Sequence, residues 1–287
     1  MTIVIILFFA ILLLNVGAFW LYQKRTHRLF HKQRKLILDS FGRIESRMAR
    51  AAPEFEPAAD GAGVWAIMVS FNRGDTGRRT IESLRKHEPD LPILVVDNGS
   101  TDGTRERLLE MLEHGVIQKL LLNTHEQVPQ WQKSFALVQA LKVLSLERLR
   151  YLVFLDDDVD VTRPFILDAT TLLEELASEH VKVVNMTDDA EEEYNHPTIK
   201  RIPVRLSRGM EEIKIRASFN GQFNFLNADF FHELGYPPIA EGISELSGED
   251  SYYSRLLKVK GYQVAVLPAA RHLGAEASLR EVVESKQ

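Results

Sequence analysis

Tyr151–Asp160 reads Tyr-Leu-Val-Phe-Leu-Asp-Asp-Asp-Val-Asp and narrows the available folds more than any other stretch. An unbroken apolar run from Tyr151 to Leu155 leads directly into Asp156, Asp157 and Asp158. Such a run is the pattern of a strand buried on both faces, which requires a sheet covered on each side. Acids at its end fall at the carboxyl edge of that sheet, where open α/β folds place their ligands. Three like charges repel unless a cation joins them, and hard oxygen ligands suit a divalent ion. A solvated turn is the plainer alternative. The expense of ending a buried strand beside three charges favours a site.

The surrounding pattern is consistent with such a sheet. Val64–Val69, Ile93–Val96, Ile117–Leu122 and Tyr151–Leu155 read as strands, alternating with helices over Thr76–His87, Thr104–His114 and Gln130–Leu146. Alternation of this kind predicts βαβ units and a mainly parallel sheet, with right-handed crossovers placing the strand-end loops on one edge. Further on, Pro164–Glu179 reads as a helix and Val181–Val184 as a strand. Ile199–Leu206 and Glu212–Phe219 read as a hairpin, so a smaller mixed region follows the parallel half. Gly221–Asn227 leads into a short segment ending at Gly235. A helix opens at Ser247-Gly248-Glu249-Asp250, and Val264–Leu267 is a last strand.

Composition removes several classes. No cysteine is present, which excludes disulfides, thiolate metal sites and a cysteine nucleophile. Residues 1–23 carry no charge, residues 24–50 carry nine Lys/Arg against two acids, and the remainder is net acidic. A nucleic-acid partner is therefore not expected, because the basic residues lie outside the folded part. Thr2–Tyr22 is long enough as a helix to span a bilayer. Lys24, Arg25, Arg28, Lys32, Arg34 and Lys35 follow it, so the positive-inside rule puts the N-terminus outside and the rest in the cytoplasm, at the inner membrane. The expected organisation is an anchor over 1–23, a basic helix and linker over 24–63, one domain over 64–275 and a polar tail over 276–287.

Three further groups could carry chemistry. Asp97 ends a strand and opens Asp-Asn-Gly-Ser-Thr-Asp-Gly-Thr, where Gly99 and Gly103 let backbone approach a ligand; the same composition also builds ordinary turns. Glu249-Asp250 starts a helix, which is either capping or a general base. His272 is a lone histidine after a strand, of interest only if it faces Asp158.

Taken together these residues resemble the family 2 glycosyltransferases of the GT-A fold, over roughly Val64–Gly274. Val69-Ser70-Phe71-Asn72-Arg73 resembles that family's first strand and loop, and Asp97–Thr104 its nucleotide loop. Leu155-Asp156-Asp157-Asp158 resembles its Asp-x-Asp motif, and Gly248-Glu249-Asp250 its Glu-Asp motif. The resemblance implies a nucleotide-sugar donor bound by Val69, Phe71, Asn72, Arg73, Asp97, Asp156 and Asp157. Within that set it implies Asp97 on the base and Asp156 on the ribose. It further implies Mn²⁺ or Mg²⁺ on Asp158, with His272 as a further ligand. Asp250, beside Glu249, is then the general base of an inverting transfer to a glycan or lipid-linked acceptor. No Gln-x-x-Arg-Trp follows Asp250, so processive synthesis is not implied. Leu122–Leu137 lacks the family's Gly and Asn pattern and carries Asn123, Trp131 and Lys133 instead, so donor preference does not transfer.

Two rivals remain at this level. Asp158-Val-Asp160-Val-Thr162 matches the Asp-x-Asp-x-Thr of haloacid-dehalogenase-like phosphatases, although three strands precede it and its own strand stops at Asp156. A membrane-anchored scaffold that binds nucleotide sugar without turnover is the other.

Overall fold

In the computed structural model, residues 63–124, 133–144, 149–187, 196–219, 221–235 and 249–273 are described. The expectations for the anchor, the basic helix, most of the linker and the tail fall outside them, as does Trp131. Among the described residues no helix is long and apolar enough to cross a membrane.

The strands are β1 (Val64–Ser70), β2 (Ile93–Asp97), β3 (Lys119–Leu122), β4 (Tyr151–Asp156), β5 (Val159–Val161), β6 (Val181–Asn185), β7 (Lys200–Leu206), β8 (Gly209–Arg216), β9 (Phe223–Asn227), β10 (Gln263–Val266) and β11 (Ala270–His272). The helices are α1 (Gly74–His87), α2 (Thr104–Glu113), α3 (Lys133–Leu144), α4 (Ile166–Glu175), α5 (Asp229–Leu234) and α6 (Glu249–Lys260). Nine strands form one sheet in the order β3-β2-β1-β4-β9-β6-β10-β8-β7, while β5 and β11 form a two-stranded ribbon. Only β8 and β9 run against the other strands of the large sheet.

Both faces are covered, which is why β4 reads as continuous apolar sequence. Tyr151, Val153 and Leu155 enter a core with Ile81 and Leu84 of α1, Leu108 of α2 and Leu172 of α4. Leu152 and Phe154 point the other way, into a core with Ala140 and Leu141 of α3, Phe231 of α5 and Leu257 of α6. Successive strand residues face opposite sides, so a five-residue apolar run serves two cores at once.

Sequence and structure differ at three strands, β9 and the two of the ribbon. Gly221–Asn227, read only as a lead-in, contains β9, which lies antiparallel between β4 and β6 and joins the two halves of the sheet. Its Phe-Asn-Phe-Leu-Asn carries no clean period, because Asn224 is as buried as its neighbours. The β5–β11 ribbon consists of three-residue strands, too short for any periodic signal. The hairpin over β7 and β8 forms as expected, and it joins the far edge of the same sheet through β10.

Candidate active site

The chain steps outward from β1 to β2 and β3, and α3 then returns it to the other side of β1 as β4. The point where strand order reverses lies between β1 and β4, and the crevice beyond the strand ends there is the expected ligand position. Register aligns Ser70 with Asp97, Asp97 with Leu122, and Val69 with Asp156, so four strands end at one level. An open pocket of about 210 Å³ lies at this edge. The expected residues Val69, Phe71, Arg73, Asp156 and Asp157 line it, joined by Ser70, Asn98 and Lys133.

Each of the three acids after Leu155 has its own surroundings. Asp156 is half-buried and its carboxylate is ion-paired with Lys133, whose Nζ also donates to the Gly221 carbonyl at 3.2 Å. Asp157 is 5 % exposed. It accepts from Ser70 Oγ at 2.8 Å and from Arg73 Nη1 at 3.1 Å. Burial pushes its carboxyl up to about 6, against the pull of the Arg73 charge and the Ser70 hydroxyl. Asp158, 6 % exposed, has Oδ2 at 2.6 Å from Arg73 Nη1 and 3.2 Å from His272 Nε2. Burial opposes the charge on Arg73, but Asp157 and Asp158 together hold its guanidinium above the ordinary value.

Two remote segments bring His272 to Asp158. Strand β11 pairs with β5 so that His272 faces Val159, and the Leu273 N–H donates to the Asp158 carbonyl at 2.8 Å. Strand β5 is itself fixed to α1, since the Val159 and Val161 N–H groups donate to Thr80 Oγ1 and Ser83 Oγ. By contrast Asp160 turns away: its carboxylate meets the exposed Arg271 at 2.8 Å.

Asp97 reaches the same edge but lies beneath it, 0 % exposed. One oxygen accepts from the Ser100 N–H at 3.0 Å and the other from Arg105 Nε at 3.2 Å. Its neighbour Asn98 is the residue of this loop on the pocket wall, steadied by a 3.1 Å bond from Asn123 Nδ2. Asn72 also acts within the loops: its N–H donates to Ser100 Oγ and its Oδ1 accepts from the Thr101 N–H. Its φ of 53° is one that asparagine tolerates better than most residues.

Glu249 and Asp250 stand at the start of α6 as expected, with side chains outside the described residues. Ser254, one turn later, exchanges hydrogen bonds with the Phe219 backbone. Three residues beyond Phe219, the Gln222 carbonyl accepts from the Asp156 N–H at 2.7 Å.

Ser70, Arg105 and Lys133 are site residues to which the sequence assigned no role. Lys133, a cation opening the otherwise apolar Lys-Ser-Phe-Ala-Leu-Val-Gln-Ala-Leu helix, is the one that left a readable signal.

A divalent ion fits the donor set. Asp158 Oδ1 is buried with no hydrogen-bond partner, and the His272 imidazole converges on the same carboxylate. No group of three or more His, Cys, Asp or Glu ligands occurs among the described residues. Mg²⁺-type sites commonly take one or two protein ligands and fill the shell with substrate phosphates and water.

A family model described as Glycosyl transferase family 2 matches residues 65–235. No curated protein matches the sequence. Among solved structures, the mannosyltransferase PcManGT from Pyrobaculum calidifontis, in complex with GDP-Man and Mn²⁺, is similar at 19 % identity and a TM-score of 0.50, over 88 % of this chain and 72 % of its own. S. aureus TarS is similar at 16 % identity and a TM-score of 0.51, over 77 % of this chain and 39 % of its own. TarS 1-349 in complex with UDP aligns at 15 % identity and a TM-score of 0.50, over 76 % of this chain and 62 % of its own.

Proposed function

The chain belongs to glycosyl transferase family 2 and is a glycosyltransferase, and from that premise we propose that it carries out a metal-dependent, inverting transfer from a nucleotide sugar to an acceptor hydroxyl. The observation that carries this reading is the grouping of Arg73, Lys133, Asp156 and Asp157 around one pocket at the β1–β4 switch point, with Asp158 ion-paired to the same Arg73. Membership of the family weighs against the phosphatase alternative, as does the turn of Asp160 away from Asp158 toward Arg271.

Asp156, held in place by Lys133, offers an acceptor oxygen to a ribose hydroxyl, and Asn98 offers an amide at the same wall. Arg73 and Lys133 supply positive charge for the diphosphate. Asp158 and His272 would hold Mn²⁺ or Mg²⁺. That ion, when bound, stabilises the charge on the departing nucleoside diphosphate. Asp250 takes the proton of the acceptor hydroxyl as its oxygen attacks the anomeric carbon from the face opposite the leaving group. The sugar–phosphate bond then breaks with inversion. General-base help of this kind is worth about 10²–10⁴-fold. The apolar residues 1–23 and their basic flank support an acceptor at the cytoplasmic membrane face, of the polyprenyl-linked or envelope-glycan kind.

Product formation from UDP- and GDP-sugars with and without chelator tests the core of this reading. Activity is expected to need Mn²⁺ or Mg²⁺ and to fall to background in Asp158→Asn. Asp250→Asn should lose transfer yet keep nucleotide binding. Undiminished turnover in chelator would sink the metal role, and loss of nucleotide binding in Asp250→Asn would sink its role as base. Nucleotide-sugar binding with no turnover of any acceptor would favour the inactive scaffold. Equal use of a soluble acceptor after removal of residues 1–50 would count against the membrane acceptor.

A further inference from the structure

Arg73 bridges two carboxylates with a single nitrogen. Its Nη1 lies 2.6 Å from Asp158 Oδ2 and 3.1 Å from Asp157 Oδ1. Its Nε and Nη2 make no hydrogen bond among the described residues, and the side chain lines the pocket, 29 % exposed. One end of the guanidinium is thus on the acids, while the rest of the fork is available to the space a donor would fill. Asp158 has its Oδ2 engaged by Arg73 and His272, with Oδ1 left buried and unpaired. A second cation arriving at Asp158 meets the charge of Arg73 at close range, in surroundings that screen it poorly. A diphosphate, by contrast, presents the oxygen pairs that a planar guanidinium fork matches best.

We propose that Arg73 is a positioning residue that makes donor and divalent ion bind as a pair. Without donor, Arg73 is the resident counter-charge of Asp158 and opposes the ion. When a nucleoside diphosphate enters, the guanidinium turns toward the phosphate oxygens, pivoting on Asp157, and yields Asp158 to the ion. Linkage then requires the ion to strengthen nucleotide binding by the same factor. The inference rests on the reading of Asp158 as a ligand of the ion.

Mn²⁺ binding to the full-length protein, followed by the loss of the free-ion electron paramagnetic resonance signal, tests it without recourse to turnover. The titration is run alone, with UDP and with GDP. The native protein should bind Mn²⁺ weakly alone and more tightly with whichever nucleotide it accepts. Arg73→Gln should raise Mn²⁺ affinity in the absence of nucleotide about tenfold or more and shrink the nucleotide's enhancement by at least that factor. Arg73→Lys keeps the charge but not the fork. It should remain near the native value for Mn²⁺ alone while binding nucleotide more weakly in the presence of Mn²⁺. An unchanged or lower donor-free affinity in Arg73→Gln overturns the proposal. If circular dichroism shows that this variant does not fold, the Lys variant decides, and native nucleotide affinity there overturns it equally. No Mn²⁺ binding by the native protein with either nucleotide would instead remove the reading of Asp158 on which the proposal stands, and Asp158→Asn supplies the matching control.

Discussion

At the scale of single residues, the site is a set of acids whose neighbours give them different tasks. Asp157 is the most constrained, buried behind Arg73 and Ser70, with a carboxyl pushed up to about 6 by burial. A raised acid favours the protonated folded protein. The stability it contributes is complete below its unfolded value near 3.8 and is lost as pH rises through about 6. Urea unfolding in chelator should therefore show the native protein losing on the order of 2–3 kcal/mol relative to Asp157→Asn between pH 4 and 6.5. A difference that stays flat over that window would refute the assignment. Ser70→Ala removes a hydrogen bond that favours the ionised form, so the loss should move to higher pH. It should also destabilise the protein at pH 8 by about 1–3 kcal/mol, because a buried carboxylate oxygen loses its partner. The acids themselves were legible in the sequence, since charges rarely follow a buried strand without a purpose. Ser70 was not, because a serine carries no local mark of the carboxylate it meets 87 residues away; Lys133 showed only as a cation opening an apolar helix, with nothing local to name the carboxylate 23 residues on.

At the scale of elements, the ribbon of β5 and β11 separates two acids only two positions apart. Asp158 lies before the ribbon and faces His272. Asp160 lies within it, and its carboxylate meets Arg271, whose side chain is 75 % exposed. A pair so open to solvent is worth about 1 kcal/mol or less. Asp160→Asn should accordingly leave transfer within about threefold of native and shift stability by no more than that amount, whereas Asp158→Asn should abolish metal-dependent transfer. Comparable losses in the two variants would revive the phosphatase-type motif. The long parallel elements were readable from their periods and turn residues. The ribbon was not, because three residues contain no period and its pairing joins positions 111 apart.

At the scale of the whole molecule, β9 ties the parallel half of the sheet to the mixed half by pairing with both β4 and β6. Its Phe225 is fully buried and stacks on Tyr151 at 5.1 Å, while Phe223 meets Phe165 edge-on at 5.1 Å. Phe225→Ala should cost about 3–5 kcal/mol. The described domain should still unfold in a single urea transition, because both halves share β9's backbone ladder. Two separated transitions in that variant would show that the halves fold independently. The amino-acid sequence alone determined the class of fold, the parallel strand–helix units and the family. Those depend on local hydrophobic periods, on turn residues and on motifs held within a few positions. Only the tertiary structure decided that β9 enters between β4 and β6. It alone placed Asp97 beneath the pocket and Asn98 on its wall, and brought Arg73, Lys133 and His272 to the acids after β4. Those pairings are settled by burial and charge neutralisation between residues distant along the chain, and no local pattern encodes them.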